Sequence, residues 1–147
     1  MNDYYLNQGL PKPIAGPDGL DGPFWEAARE GILKLQRCRD CNKFQWGPEW
    51  ICHRCHSFDL DFAEVDAKGS IYSYERVWHP VHPALREQGA YLVVLVELPH
   101  ADHVRMVGNL IGPAEQNVLI GSNVQAVYEH HTDDDPPHTL INWVLIS

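Results

Sequence analysis

The chain has 147 residues, 44% of them hydrophobic, which fits one ordinary globular domain or two very small ones and excludes a disordered protein. Eleven Lys and Arg against twenty Asp and Glu give a formal net charge of −9, a poor match for a protein that binds duplex nucleic acid by neutralising phosphates. The longest purely hydrophobic run is far too short for a membrane-spanning helix, and the first residues lack the pattern of a secretory signal. We therefore expect a cytoplasmic protein that does not enter a membrane.

Residues 1–32 are expected to form an irregular arm followed by a short helix. Between positions 9 and 23, eight residues are Gly or Pro, which set turns and interrupt regular hydrogen bonding. We expect this arm to be loose, the alternative being that it covers a partner's surface. A helix is predicted from Pro23 to Glu30, because Pro suits the first helical position and Gly31 suits the end. Two helical turns are too few to be stable alone in water, so this helix must dock on something.

Residues 33–66 are expected to form a zinc ribbon, because they hold all four cysteines in two closely spaced pairs. Cys38 and Cys41 make up one pair, Cys52 and Cys55 the other, and ten residues separate them. Each pair has the spacing of a tight knuckle, and two knuckles can place four thiolates around one structural Zn²⁺. Two disulfides or redox-active pairs are the alternative, which the missing export signal and the doubled motif disfavour. Iron is an alternative metal for the same site, because thiolates also bind it. A four-thiolate site leaves no position for a catalytic water.

From residue 67 to residue 147 the pattern changes to short strands separated by Pro and Gly turn signals. Five strands are predicted, at positions 71–78, 91–98, 104–111, 124–128 and 139–146. With almost no helical periodicity between them, they favour a small closed barrel over a parallel sheet. The nearly continuous apolar run of the second strand predicts that it is buried on both faces.

The remaining polar residues give no complete active site, and we predict no catalytic residue. The chain lacks a Gly-x-Ser-x-Gly nucleophile elbow and a phosphate-binding loop. His79 and His82 lie in a proline-rich turn and are interpreted as surface or interface residues rather than as metal ligands. His130 and His131 are interpreted as polar groups at a strand end, and the acidic triplet 133–135 as a solvated loop.

The chain resembles a known family in six runs of sequence, one of which contains the first cysteine pair, and in the second cysteine pair. They are PFWE at 23–26, LQRCRDC at 35–41, GSIYSY at 69–74, VLVEL at 94–98, VGNLIG at 107–112 and IGSNV at 120–124. Together they resemble the acyl-CoA-associated proteins that join a zinc ribbon to an OB fold, over about residues 23–146. The resemblance implies a mainly β fold with a short N-terminal helix, a rubredoxin-like zinc ribbon and a five-stranded OB-fold barrel. The four cysteines match the family's zinc ligands, whereas residues 138–143 depart from its usual aromatic and Pro before the last strand.

The resemblance also implies a function, because family members accompany enzymes that act on coenzyme A thioesters. We expect a non-catalytic, zinc-binding subunit of a heteromeric thiolase-type complex that cleaves or forms a carbon–carbon bond on a 3-oxoacyl-CoA. It would stabilise a thiolase-fold catalytic subunit and help to enclose the acyl-CoA, and the expected setting is the catabolism of an aromatic or steroid acyl chain. The alternatives are an accessory subunit of an acyl-CoA hydratase or aldolase, and a single-stranded nucleic-acid-binding module, which the acidic composition disfavours.

A basic stretch of sequence and three tryptophans each have two interpretations that the sequence does not separate. Residues 29–54, which we call the basic segment, hold six basic and three acidic residues, a local charge of +3. They could face the phosphates of coenzyme A or an acidic patch on a partner. Trp25, Trp46 and Trp50 could anchor an interface or pack around the zinc unit.

Overall fold

One α-helix and two antiparallel sheets make up the part of the chain that the computed structural model describes, residues 4–147. The elements are α1 (Gly22–Arg29), β1 (Lys34–Cys38), β2 (Phe44–Gln45), β3 (Leu60–Glu64), β4 (Lys68–Val77), β5 (Tyr91–Leu98), β6 (Val104–Asn109), β7 (Asn123–His131) and β8 (His138–Leu145). The mainly β architecture with one short helix is as expected. Within these residues, no helix has the length and apolar character needed to cross a membrane.

The described part of the N-terminal arm lacks regular structure, as predicted, but it does not hang free. The backbone N–H of Tyr5 donates to Glu129 (3.2 Å), and its hydroxyl oxygen accepts from the N–H of Leu92 (3.1 Å). Lys12 lies 3.2 Å from Asp134. These contacts hold the arm against β5 and against β7 and the turn that follows it, so the expectation of a loose arm is wrong. The first three residues of the predicted arm lie outside the described residues.

Helix α1 begins one residue before the predicted start and docks through one face. Phe24, Ala27 and Ala28 are buried and lie at spacings of three and four, which places them on the same side of the helix. Gly31 adopts a left-handed φ of +74° just past the helix end, a conformation that glycine takes without steric cost. The short helix is therefore stabilised by burial against the rest of the molecule, as its length requires.

The smaller sheet has three antiparallel strands in the order β2–β1–β3. Its central strand β1 pairs with β2 through Gln36 and Gln45, and with β3 through Leu35 and Ala63. The last residue of β1 is Cys38, so this sheet carries the start of the first cysteine pair directly on a strand.

The larger sheet has five antiparallel strands in the order β6–β5–β4–β7–β8 and curls into a nearly closed barrel. A parallel bridge between Leu110, just after β6, and Trp143 of β8 draws the two edges together. The five-stranded barrel is as the strand pattern predicts, and its OB type is as the resemblance implies. Strand β7 runs to His131, past its predicted end at position 128, because polar residues continue its pairing with β8 after the apolar alternation stops.

Strand β5 corrects the expectation that it is buried on both faces. Leu92, Val94, Val96 and Leu98 are fully buried, whereas the residues between them are only half-buried. A barrel strand has an interior face that is packed and an exterior face that meets solvent or a partner. Most residues on the outer face are also apolar, which explains why the hydropathy pattern predicts burial on both faces.

The hydrophobic core is continuous from the helix through the small sheet into the barrel. Phe24, Leu33 and Leu35 belong to the same buried cluster as the barrel strands and Trp143. Trp143 is completely buried beside Gly108, where an added Cβ would lie only 2.8 Å from its ring. The last strand, where the sequence departs from the family pattern, therefore contributes the largest fully buried side chain of the core.

Candidate metal centre

The two cysteine pairs sit on turns of matching geometry. The N–H of Asn42 donates to the carbonyl of Cys38 (2.9 Å), and the N–H of His56 donates to the carbonyl of Cys52 (3.1 Å). Asn42 and His56 each follow the second cysteine of a pair, and both adopt a left-handed φ near +60°. Each pair thus forms the tight knuckle that its spacing predicts, with two thiols on one side of the turn.

The four sulfur atoms converge on one point. The Sγ atoms of Cys38 and Cys55 are 3.5 Å apart, those of Cys41 and Cys52 are 3.6 Å apart, and all four lie within 4.8 Å of one another. These separations are far too long for a disulfide, and the cysteines are free. Zn–S bonds of about 2.3 Å in a tetrahedron put sulfur atoms about 3.8 Å apart. The donor set therefore fits a tetrahedral ion such as Zn²⁺.

The pKa values of Cys52 and Cys55 are shifted in opposite directions. The N–H groups of Cys55 and Arg54 point at the sulfur of Cys52 and lower its pKa to about 6. The N–H of Ser57 favours the thiolate of Cys55, but partial desolvation of the sulfur and the three adjacent thiols outweigh it and raise the pKa of Cys55 to about 12. Four thiols this close cannot all ionise without a cation between them, which is the role that a bound metal fills.

A buried pair of glutamine side chains holds the loop that carries the second knuckle. The Nε2 of Gln45 donates to the Oε1 of Gln36 (2.6 Å), which also accepts from the N–H of Glu49 (2.9 Å). The Oε1 of Gln45 accepts from the N–H of His53 (2.8 Å), the residue after the first cysteine of that knuckle. Sequence analysis missed this pair, and its only signal is two polar residues at inward positions of neighbouring strands.

The fold neutralises much of the basic segment. Arg37 and Arg39 lie 3.5 and 3.2 Å from Asp61, and Lys43 lies 3.4 Å from Asp102. Both carboxylates come from outside the segment, so the local charge of +3 counted along the sequence overstates the positive charge at the surface. This arrangement weakens the interpretation that the segment faces the phosphates of coenzyme A.

The tryptophans that the sequence left open divide between packing and exposure. The centroid of the Phe24 ring lies 5.0 Å from that of Trp25 and 4.4 Å from that of Trp46, so both tryptophans are partly buried beside Phe24 of the helix. Trp50 is 58% exposed at the edge of the ribbon. Of these three tryptophans, Trp50 is the exposed one and the best placed to contact a partner.

The histidines divide between exposed positions, such as His79 and His130, and a buried group. The Nδ1 of His82 accepts from the N–H of Ala84 (3.1 Å) and caps a short 3-10 helix. His131 lies at the end of β7, as expected, but it is only 2% exposed, so its interpretation as a polar group of the loop is wrong. It lies near His138 and Asp134, a second group of metal-ligating side chains within the described residues. The sequence signal for this group is the spacing His-x2-Asp-x3-His, which spans the acidic loop at 133–135.

Comparisons with protein families and solved structures agree with this architecture. Residues 25–61 match the ChsH2 rubredoxin-like zinc ribbon domain, and residues 63–129 match the ChsH2 C-terminal OB-fold domain. The solved structure called Ltp2-ChsH2(DUF35) aldolase is 34% identical with a TM-score of 0.74, over 91% of this chain and 98% of that one. A DUF35 protein of unknown function from Sulfolobus solfataricus shares the fold at 14% identity and a TM-score of 0.59, over 90% of this chain and 87% of that one.

Two curated proteins are also similar in sequence. A probable enoyl-CoA hydratase alpha subunit of Thermomonospora curvata is 41% identical over 105 residues, which are 71% of this chain but only 32% of that protein. A DUF35 domain-containing scaffold protein of Methanocaldococcus jannaschii is 25% identical over 99 residues, 67% of this chain and 68% of that protein. The expected resemblance is thus confirmed, and the chain belongs to the ChsH2 (DUF35) family, in which a rubredoxin-like zinc ribbon is joined to an OB fold.

Proposed function

We propose that this chain is a non-catalytic, zinc-binding subunit of a heteromeric enzyme that makes or breaks a carbon–carbon bond on a coenzyme A thioester. The observation that carries the proposal is its similarity to the Ltp2-ChsH2(DUF35) aldolase structure along nearly the whole of both chains. Thiolases and aldolases both act at a carbon–carbon bond, so this similarity supports the reaction class expected from the sequence. A thiolase-fold partner, a 3-oxoacyl-CoA and an aromatic or steroid acyl chain remain predictions.

Within this proposal the ribbon cysteines hold one structural Zn²⁺. The four sulfur atoms of Cys38, Cys41, Cys52 and Cys55 supply a complete tetrahedral shell. A closed shell has no position for water or a thioester, so the reacting groups come from the partner. The ion would keep the ribbon in the shape that the partner recognises.

A groove beside the ribbon supports the presence of a partner. It has a volume of about 460 Å³ and is lined by Leu20 of the arm together with Trp50, Phe58 and Phe62 of the ribbon. Phe58 is 79% exposed and Trp50 58% exposed. Adjacent exposed aromatics mark interaction surfaces, because they bury large apolar areas when a partner covers them. We call this surface the ribbon groove and assign it to contact with the catalytic subunit.

A hydratase partner is the second candidate, favoured by the 41% identity to the probable enoyl-CoA hydratase alpha subunit. The matched segment is about a third of that protein. A module of this kind joined to a longer chain is consistent with an accessory role beside a catalytic unit. The two candidates differ in chemistry, hydration of a double bond against cleavage of a carbon–carbon bond, and can be separated by assay.

The test is to isolate the tagged protein from its native cells under reducing conditions and to identify what co-purifies by mass spectrometry. The partner is then expressed alone and with this chain, and assayed for carbon–carbon cleavage and for hydration of acyl-CoA thioesters. We expect a stoichiometric partner whose activity and thermal stability fall when this chain is absent. Trp50→Ala and Phe58→Ala should weaken the complex at least 10-fold, whereas Leu119→Ala, another exposed apolar residue, should not.

Full activity and unchanged stability of the partner alone would contradict the proposal. If the protein is recovered without a partner and shifts single-stranded nucleic acid at low salt, the binding-module alternative replaces it. Hydration without carbon–carbon cleavage would select the second candidate.

A further inference from the structure

Three buried atoms that could bind a metal meet at the turn end of the β7–β8 hairpin. The Nδ1 of His131 lies 3.5 Å from the Oδ2 of Asp134, and the Nδ1 of His138 lies 3.7 Å from the same oxygen. None of the three atoms has a hydrogen-bond partner within the described residues, although all are removed from solvent. The side chains of the two histidines are 2% and 7% exposed. Buried polar atoms without partners are rare in folded proteins and need an explanation.

The hairpin itself brings the three side chains together. His131 ends β7 and pairs in register with His138, which begins β8, so the two residues lie directly across from each other. Asp134 belongs to the connecting turn and folds back toward both. The two imidazole rings stack with centroids 4.4 Å apart and planes 12° apart. The site is therefore local to one hairpin and does not share a residue with the ribbon.

His131 lies between two carboxylates. Its Nε2 lies 2.7 Å from the Oε1 of Glu129. The other oxygen of Glu129 accepts from Asn142 (2.9 Å) and from the N–H of Tyr5 (3.2 Å), so this carboxylate is held in place. When the ring hydrogen is on Nε2, the Nδ1 of His131 presents a lone pair toward the Oδ2 of Asp134, which is also an acceptor. A metal cation can bind to both of these atoms.

We propose that His131, Asp134 and His138 bind a divalent transition-metal ion of the Zn²⁺ class, at a site separate from the ribbon. Two imidazoles and one carboxylate are a donor set that such ions accept. Bonds of about 2.0–2.1 Å in a tetrahedron place ligand atoms about 3.4 Å apart, a few tenths of an ångström less than the two separations to Asp134. Glu129 then supplies the carboxylate that orients a metal-binding histidine from its far side.

The ion would fasten the N-terminal arm to the barrel. The ring of Tyr4 stacks on His131 with centroids 3.8 Å apart, and Lys12 pairs with Asp134 at 3.2 Å. A cavity of about 90 Å³ under the arm is lined by both histidines, so the site lies where the arm meets the barrel. Because an imidazole binds a metal in its own ring plane, binding is expected to turn His138 out of its parallel stack with His131.

The experiment titrates Zn²⁺ into the full-length protein whose ribbon has already been loaded with one equivalent of zinc. Isothermal calorimetry at neutral pH should show one further equivalent. His131→Ala and His138→Ala should each abolish it while retaining the ribbon zinc, which also reports that the variant is folded. His130→Ala is the matched control, because this neighbouring histidine is exposed and bonds Thr139 instead, so the second equivalent should remain.

A second measurement covers the case in which a histidine variant does not fold. Glu129→Gln leaves all three ligands in place and should weaken binding of the second equivalent about 10- to 100-fold. Nitrogen NMR of the wild type should show His131 unprotonated at Nδ1 and shifted by Zn²⁺. The proposal is overturned if no second equivalent binds, if His131→Ala binds like the wild type, or if His131 carries protons on both nitrogens at neutral pH.

Discussion

Asp102 connects the barrel to the ribbon through a single carboxylate. Its Oδ2 accepts from the N–H of Phe44 in β2 (2.8 Å), and its Oδ1 lies 3.4 Å from Lys43. The Phe44 hydrogen bond is the main cause that holds the pKa of Asp102 below its usual range, with Lys43 adding to it and burial opposing it. Stabilisation of the ionised form in the folded state makes this contact dependent on pH.

We expect Asp102→Asn to lower the free energy of unfolding by about 1–2 kcal/mol at neutral pH, because a charge-assisted hydrogen bond becomes a neutral one. Asp102 has a left-handed φ of +55°, which Asn also tolerates, so the backbone contributes little to the change. The folded pKa is depressed, so the contribution is complete above the unfolded pKa of about 4 and is lost as the pH falls through the folded pKa. Urea unfolding of both proteins, repeated from about pH 8 down to about pH 3, measures this difference in the free energy of unfolding.

The comparison is made at each pH, so any loss of ribbon zinc in acid affects both proteins and cancels. Asp66→Asn, at an exposed carboxylate, should change stability by less than about 0.5 kcal/mol throughout. A wild-type advantage that persists unchanged well below pH 4 would show that the charge of Asp102 is not its source.

Residues whose partners are close in sequence were the ones that sequence analysis could assign. The spacing of Cys38 and Cys41 describes a turn, so their convergence follows from local geometry alone. His131 and His138 meet only because β7 and β8 pair in one particular register. A shift of one residue would place one of them on the opposite face, and the sequence does not state the register.

The glutamine pair fastens the loop between β2 and β3 to the small sheet. Gln45→Leu would remove the acceptor of the His53 N–H and the donor to Gln36, while keeping a side chain of similar size. We expect a loss of about 1–3 kcal/mol in stability, because buried polar groups are left without partners. We also expect several-fold faster release of zinc to a chelator, because the loop carries Cys52 and Cys55. A colorimetric chelator under native conditions measures the release rate.

Gln125→Leu serves as the control, since this glutamine is exposed on the barrel strand β7. It should leave the release rate unchanged. Equal release rates for Gln45→Leu and the wild type would mean that the second knuckle keeps its shape without the glutamine pair.

Strand positions could be predicted from apolar alternation and turn residues, but their environments could not. All five barrel strands were placed, and errors concentrate at their ends. The expectation for β5 failed because Val93 and Leu95 are apolar on the outer face, where they are half-buried. Hydropathy reports what a side chain tolerates, whereas its burial depends on what the rest of the fold puts beside it.

At the scale of the whole molecule, the ribbon and the barrel share one core. Leu33 and Leu35, at the start of the ribbon, are almost completely buried in the cluster that contains Val94, Val96 and Trp143 of the barrel. The division at residues 66 and 67 expected from composition separates two sheets, but it does not separate two hydrophobic cores. The ribbon metal should therefore affect the stability of the barrel.

We expect Cys55→Ser, which disables the ribbon metal and leaves the hairpin histidines intact, to lower the melting temperature of the whole protein by about 10 °C or more. Loss of 1 kcal/mol shifts the melting temperature of a domain of this size by about 2–4 °C, and a structural zinc site contributes several kcal/mol. Because the core is continuous, calorimetry should show a single transition, and the methyl NMR signals of Val94 and Val96 should disappear at that same lower temperature.

Cys55 is an exposed ligand, so its replacement by Ser costs little packing. If the ribbon melted early while the valine signals kept their wild-type melting temperature, the shared core would not couple the two sheets. In that case Leu35→Ala, which should cost about 2–5 kcal/mol in a coupled core, would destabilise the ribbon alone.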